Sequence, residues 1–260
     1  MNVNQLLAAW HEQQTAFIEL RDLRTRIVTD VLAYRREELS RPLRILDIAC
    51  GPGSLAHATL ERLPDSTVVA IDKDPILLRL GRETNRYGDR LLFIDADLDT
   101  SAWLDAIPEG PYDAAISATA LHWLPPHILT RFYIEVAQIL TPGGIVMDAD
   151  HLYHDHISQP YLHQMDEQMR EKFRVHSLEE GTMTWDQWWH EACSMPGWEE
   201  EAAERERRWA NDGPTLKVSA AFHREAMRAA GFSETGQLFQ FFDDRIVYGR
   251  LPDDWTGQRA

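Results

Sequence analysis

The period of the apolar positions changes along the chain and divides it into regions. In the first forty residues Leu20, Leu23, Ile27 and Val31 fall three and four apart, which predicts a helix ended by Pro42. Short apolar runs then alternate with helical patterns. Strands are expected over 44–48 (RILDI), 66–72, 90–98, 112–121 and 145–151, and helices over 53–63, 75–88 and 126–144. Pro75 marks a helix start and Gly88 the residue past its end, and Pro142 with Gly143 and Gly144 closes the next helix. Strands that are continuously apolar and separated by helices imply a parallel sheet covered on both faces.

The alternation breaks near residue 151. Residues 151–217 read as helical and contain Trp185, Trp188, Trp189, Trp198 and Trp209, five of nine tryptophans. Alternation resumes with a helix over 219–232, capped by Ser219 and ended at Gly231. Two strands then flank the Asp243–Asp244 pair as an antiparallel hairpin at the sheet edge. The expected fold is α/β: a Rossmann-like, doubly wound, mainly parallel seven-stranded sheet with an antiparallel C-terminal hairpin and a helical insertion. Residues 1–40 are expected to form a lid, 41–150 with 218–260 a ligand-binding core, and 151–217 a cap.

Composition narrows the function. The 260 residues carry 26 Lys and Arg against 42 Asp and Glu, a net charge of −16. Such a surface repels phosphate backbones and anionic lipid, which disfavours nucleic-acid and membrane partners and an acidic carrier protein. Arg205, Arg207 and Arg208 read as a solvated helix face opposite Glu204 and Glu206. Cys50 and Cys193 belong to no CxxC pair, and the N-terminus lacks a basic segment followed by an apolar core. A cytoplasmic protein of undetermined oligomeric state is expected.

The chemistry gathers at strand ends. Gly51, Gly53 and Ala56 form a GxGxxA turn after the first strand, where backbone can approach a ligand at a helix start. Asp47 lies four residues before Gly51 and can hold a cationic group. Asp72 ends the second strand, where a carboxylate can take both hydroxyls of a ribose. Asp97 follows the third strand, where it can accept from an exocyclic amine. Adenine, ribose and a charged amino-acid tail satisfy all three, whereas a pyrophosphate would lie beside two carboxylates.

The segments LDIACGPG, VVAIDKDP, FIDADL, YDAAISATALHWL and ILTPGGIVM resemble, in order and spacing, the motifs of class I S-adenosylmethionine-dependent methyltransferases. The LHWL segment is similar to that of small-molecule members acting on trans-aconitate. Ala49 stands where the family's (D/E)xGxGxG pattern has its first glycine, and Ala118 where those members often have Asn. The resemblance implies S-adenosylmethionine as cofactor and S-adenosylhomocysteine as product. It places Asp47, Ala49, Gly51 and Gly53 on the methionine side, Asp72 at the ribose, Asp97 and Leu98 at the adenine, and Ser117 beside the cofactor, with Cys50 and Lys73 as further candidate cofactor contacts.

The acceptor, a small molecule, is expected beyond the fourth and fifth strands. His122 is the candidate base, with a pocket-shaping role as the alternative, and Trp123, His151, His154, Trp185 and Trp188 are candidate acceptor contacts. Trp185, Trp188 and Trp189 share a helix face that either packs the insertion on the sheet or walls the acceptor. Trp10 and Phe17 place the first helix as a lid, and Arg21 or Arg24 meets either the cofactor carboxylate or a helix–helix salt bridge. His151, His154 and His156 are close enough in sequence to suggest a metal, but no fixed acidic ligand accompanies them, and no metal is expected. O- or C-methylation is favoured. An NAD-dependent oxidoreductase and a non-catalytic S-adenosylmethionine-binding regulator are the alternatives.

Overall fold

The computed structural model describes residues 1–210, 213 and 215–257. The expected cap therefore has three residues, and the expected core its last three, outside the described residues. Seven strands form one sheet in the order β3-β2-β1-β4-β5-β7-β6. They are β1 (Arg44–Ile48), β2 (Thr67–Asp72), β3 (Leu91–Asp95), β4 (Tyr112–Ala118), β5 (Leu140–His151), β6 (Glu234–Phe241) and β7 (Asp244–Arg250). β1 to β5 pair in parallel, and β7 runs antiparallel to both β5 and β6. The winding reverses between β1 and β4, so the carboxyl ends of these two central strands open a crevice.

Ten helices accompany the sheet among the described residues: α1 (Val3–Phe17), α2 (Arg21–Leu39), α3 (Ser54–Arg62), α4 (Pro75–Glu83), α5 (Trp103–Ala106), α6 (Pro126–Ile139), α7 (Pro160–Glu179), α8 (Trp185–Cys193), α9 (Glu199–Trp209) and α10 (Ala220–Ala230). One sheet face carries Leu46, Ile48, Ala115, Val146 and Val247 against α6 and α10. The other carries Ile45, Ala114, Ile116 and Met147 against α2 and α3. A third apolar cluster joins Leu6 and Trp10 of α1, Leu77 and Leu80 of α4, and Trp188 and Trp189 of α8. No helix among the described residues is long and apolar enough to cross a membrane.

The structure differs from the expected elements where side chains compete with the backbone. The first forty residues form two helices, because Ile18 leaves α1 in an extended conformation and buries its side chain. In α2 the buried face is Arg24, Val28 and Leu32, and Leu23 is exposed. That helix stops at Ser40, in the left-handed region at φ 51°, before Pro42 is reached. α4 ends at Glu83 rather than near 88. Thr84 donates its hydroxyl to the Leu80 carbonyl at 2.7 Å, and the Asn85 side chain accepts from Tyr87 N–H and donates to the Leu91 carbonyl. Residues 140–144 belong to β5, where Leu140 already pairs with Tyr112.

Candidate functional site

A cavity of about 1560 Å³ lies at the carboxyl ends of the central strands. It is larger than the roughly 300–1000 Å³ typical of a single small-ligand pocket. Its floor includes Asp47, Ala49, Cys50, Gly51, Asp72 and Lys73, with Asp97 and Leu98 on the β3 side. Asp47 is 1% exposed, and its Oδ2 has no hydrogen-bond partner. Burial, helped by the charge of Asp72 and opposed by the Ala56 N–H, raises its carboxyl to about 8. A buried carboxyl with a free oxygen is suited to a cationic group.

Asp72 accepts the Gly51 N–H on one oxygen at 2.7 Å and the Asp74 N–H on the other at 2.8 Å. Burial, with Asp74's charge, raises it to about 6 against these donations. The Lys73 N–H also supports the anion, and the carboxylate keeps a lone pair for a hydroxyl. The turn's own donors are consumed: Cys50 N–H goes to the Ile71 carbonyl at 2.9 Å and Gly53 N–H to the Cys50 carbonyl at 3.0 Å. The N–H groups of Cys50, Gly51 and Gly53 are therefore not open to a pyrophosphate. Ala49 sits at φ 51°.

Two expected cofactor contacts, Gly53 and Ser117, lie outside the cavity lining, whereas Asp97 belongs to it. Gly53, at φ +86°, is outside the lining; a Cβ there would meet the Phe93 ring at 2.7 Å, so this glycine serves packing. Ser117 is buried and donates to the Ile48 carbonyl at 3.0 Å, tying β4 to β1 rather than facing the cavity. Asp97 is exposed at the rim and accepts from Asp99 N–H at 3.0 Å.

On the β4–β5 side, His122 Nδ1 lies 2.7 Å from Asp150 Oδ1, and Asp150 Oδ2 accepts the His122 backbone N–H at 3.0 Å. Burial works against the Asp150 anion, but the neighbouring His122, His151 and Arg24 outweigh it and hold this carboxyl below its ordinary range. An ionised Asp150 fixes the proton on Nδ1 and leaves the lone pair on Nε2. Sequence reasoning missed Asp150; the signal was MDADH, which places Asp148 and Asp150 on one face of β5. Trp123, His151 and Tyr153 line the same end, and Trp123 is 55% exposed under Lys217 Nζ, 4.6 Å from its ring centroid.

The candidate acceptor contacts separate. His154 is buried, with Nδ1 at 2.5 Å from Asp166 and Nε2 at 2.6 Å from Arg245, and does not line the cavity. Trp188 is fully buried and donates to the Leu6 carbonyl at 3.1 Å, which makes it an anchor between α8 and α1. Trp185 does line the cavity, beside Trp10 at 6.1 Å between ring centroids. His156 is exposed, and no group of three or more His, Cys, Asp or Glu among the described residues converges as a metal site.

Of the α9 arginines, Arg207 is solvated and pairs with Glu204 of its own helix, whereas Arg205 and Arg208 form a clamp. Arg205 binds Asp74 at 2.9 Å and stacks over Trp189, and Arg208 pairs with both oxygens of Asp95. Trp189 and Trp209 thus lie toward the β2–β3 end with Asp72 and Lys73. Arg24 spans α2 to β7, with Asp244 at 2.5 Å and the Thr119 hydroxyl at 2.7 Å, so the salt bridge is helix to strand. The hairpin acids therefore do more than turn the chain: Asp243 also pairs with Arg170 of α7.

This sheet order, with a glycine turn after β1 and carboxylates at the ends of β1, β2 and β3, is the class I S-adenosylmethionine-dependent methyltransferase fold. Residues 45–144 match a family model described as a methyltransferase domain. Trans-aconitate 2-methyltransferase of Azoarcus sp. (strain BH72) is 31% identical over 140 residues, 54% of this chain and 50% of that protein. The enzyme of the same name from Streptomyces avermitilis is 36% identical over 124 residues, 46% of this chain and 43% of its own. The chain spans about half the length of the curated relatives it matches. Among solved structures, magnesium protoporphyrin IX methyltransferase from Synechocystis PCC 6803 with bound S-adenosylhomocysteine aligns over 92% of this chain and 86% of its own. The TM-score is 0.56 and the identity 15%. The CurJ carbon methyltransferase aligns over 93% of this chain and 57% of its own, with TM-score 0.60 and 16% identity. The matched segment belongs to the methyltransferase-domain family, and the chain as a whole has the class I S-adenosylmethionine-dependent methyltransferase fold.

Proposed function

We propose that this protein transfers the methyl group of S-adenosylmethionine to a small-molecule acceptor, with His122 as the proton-accepting group. The observation that carries the reading is one cavity with Asp47 and Asp72 at one end and the His122–Asp150 pair at the other. Asp47 would hold the ammonium of the cofactor's tail, Asp72 the ribose hydroxyls, and Leu98 with Asp97 the adenine. Bound there, the cofactor supplies a methyl already activated on a sulfonium. The remaining work falls to positioning and desolvating the acceptor. Asp150 would hold His122 so that Nε2 takes a proton from a phenol, enol or activated carbon, and Trp123, His151 and Tyr153 suit a planar acceptor. Residues 1–40 and 151–217 would cover the cavity, and 41–150 with 218–260 would hold the cofactor. The carrying experiment follows S-adenosylhomocysteine formation over a panel of phenols, enolisable carbonyls and carboxylic acids; no product with any acceptor, despite cofactor binding, favours a non-catalytic binder.

A carboxylate acceptor is the second reading. The relatives named for trans-aconitate favour it, as do Arg170 and Arg174 of α7 at the cavity wall. A carboxylate needs no base, so His122→Gln would then leave turnover nearly intact, whereas a phenol or carbon acceptor makes it fall.

A further inference from the structure

A single small ligand occupies a pocket of roughly 300–1000 Å³, and this cavity measures about 1560 Å³. If the cofactor takes the top of that range, about 560 Å³ remains, which is a second full pocket rather than a niche beside the methyl. A compact acid of a few carbons would share that space with water, whereas methyl transfer is favoured by a desolvated acceptor.

The wall at the β4–β5 end is apolar and aromatic. Leu124, Pro125 and Pro126 after β4, Tyr153 after β5, and Leu216 line it. The Trp123 ring in this wall is 55% exposed, yet the backbone that carries it is braced. Its carbonyl accepts the Thr215 hydroxyl at 2.9 Å, and the His122 carbonyl accepts from Lys217 Nζ at 3.1 Å. The His122 and Trp123 ring centroids are 5.0 Å apart. A ring laid on Trp123 therefore has its edge beside the imidazole. A large exposed aromatic held still in a cavity wall is a stacking platform.

The same end has its cations matched. Among the described residues Arg24 pairs with Asp244 at 2.5 Å, Arg170 with Asp243, and Arg174 with Glu171 at 2.6 Å. Lys217 is engaged by the His122 carbonyl and the Trp123 ring. Glu167 also lines this cavity, and Asp150 lies behind His122. Arg21 belongs to the β1 side, where it meets His11, itself 3.5 Å from the Ser54 hydroxyl at the start of α3. Several carboxylates brought to the β4–β5 end would lose water without new cations to meet them.

We propose that the acceptor is a weakly charged aromatic molecule of two or more fused rings, stacked on Trp123 with an acidic hydroxyl at His122, and not a compact polycarboxylic acid. This rests on the methyl-donor reading above. It makes Trp123 the residue that selects acceptor size, and it assigns Arg170 and Arg174 to the wall's own ion pairs.

The test is calorimetric titration of the full chain, saturated with S-adenosylhomocysteine, with phenol, 2-naphthol, 2-anthrol and trans-aconitate. Affinity is expected to rise about tenfold with each fused ring, and trans-aconitate to bind more weakly than 2-naphthol. Trp123→Ala, a change at an exposed ring, is expected to lower the affinity for 2-anthrol about tenfold and that for phenol by less. Affinity that does not rise from phenol to 2-anthrol, or trans-aconitate as the tightest ligand, overturns the inference while the methyl-donor reading stands, and neither result needs a variant to fold. So does a Trp123→Ala protein that keeps the full dependence on ring number. Failure of wild type to bind S-adenosylhomocysteine overturns the methyl-donor reading and this inference with it.

Discussion

Asp47 makes the proposed cofactor site dependent on pH in a way that has a sign. Its carboxyl is raised to about 8 by burial, so near pH 7 about nine-tenths of the free protein carries it protonated. Binding an ammonium requires the anion. At pH 7 the apparent affinity is then about tenfold below that of a pre-ionised site, about 1.4 kcal/mol, and at pH 6 about a hundredfold below. Binding releases close to one proton at these pH values. Above pH 8 the ligand's own α-amino group, which titrates near about 8, begins to lose its proton, and binding takes one up instead. Affinity should peak near pH 8, and the proton count should change sign there. Titration calorimetry from pH 6 to 9, in two buffers of different ionisation enthalpy, reads both quantities. Asp47→Asn should abolish the proton release between pH 7 and 8, where Asp72, raised only to about 6, is already mostly ionised. Binding with no proton release at pH 7 would refute the assignment of Asp47 to the ammonium. Stability follows the same linkage. The unfolded chain sheds this proton near the ordinary 3.8 and the native chain only near 8. The unliganded protein should therefore lose stability as pH rises through that window, and thermal denaturation with and without ligand measures the loss.

Further outcomes follow from the geometry. Asp72→Ala should weaken S-adenosylmethionine binding by about 1–3 kcal/mol, and unchanged affinity would remove Asp72 from the ribose. Asp150→Asn should lower turnover on a proton-bearing acceptor by about 10²–10⁴ while leaving cofactor affinity alone; steady-state kinetics with calorimetry separates the two. Trp188→Ala should cost about 3–5 kcal/mol of stability in denaturant titration without changing the acceptor KM, since the ring is fully buried against α1. An altered KM in a variant of wild-type stability would return Trp188 to the acceptor wall.

The sheet was legible because its signals are local. Five continuously apolar strands, glycine and proline punctuation and a two-residue hairpin turn need no distant partner to be recognised. Asp47 and Asp72 were legible for the same reason, since each is fixed by its place at a strand end. Contacts over long sequence separations were not. The Asp150 partner of His122 is 28 residues away, and Asp243 and Asp244 read as a turn although they anchor Arg170 and Arg24. His154 and Trp188 looked like acceptor contacts because histidine and tryptophan are common in sites. Each has its polar atoms engaged instead, by Asp166 and Arg245 in one case and by the Leu6 carbonyl in the other. Gly53 was read as making room for a ligand, and what it admits is the Phe93 ring.

The central claim is that the cavity takes S-adenosylmethionine, and parallel calorimetric titration with S-adenosylmethionine, S-adenosylhomocysteine and NAD tests it most directly. The account predicts saturable binding of the first two and none of NAD, whose pyrophosphate would find the turn's N–H groups already engaged by Asp72 and by backbone carbonyls. Binding of NAD alone would contradict it and assign the glycine turn to a dinucleotide.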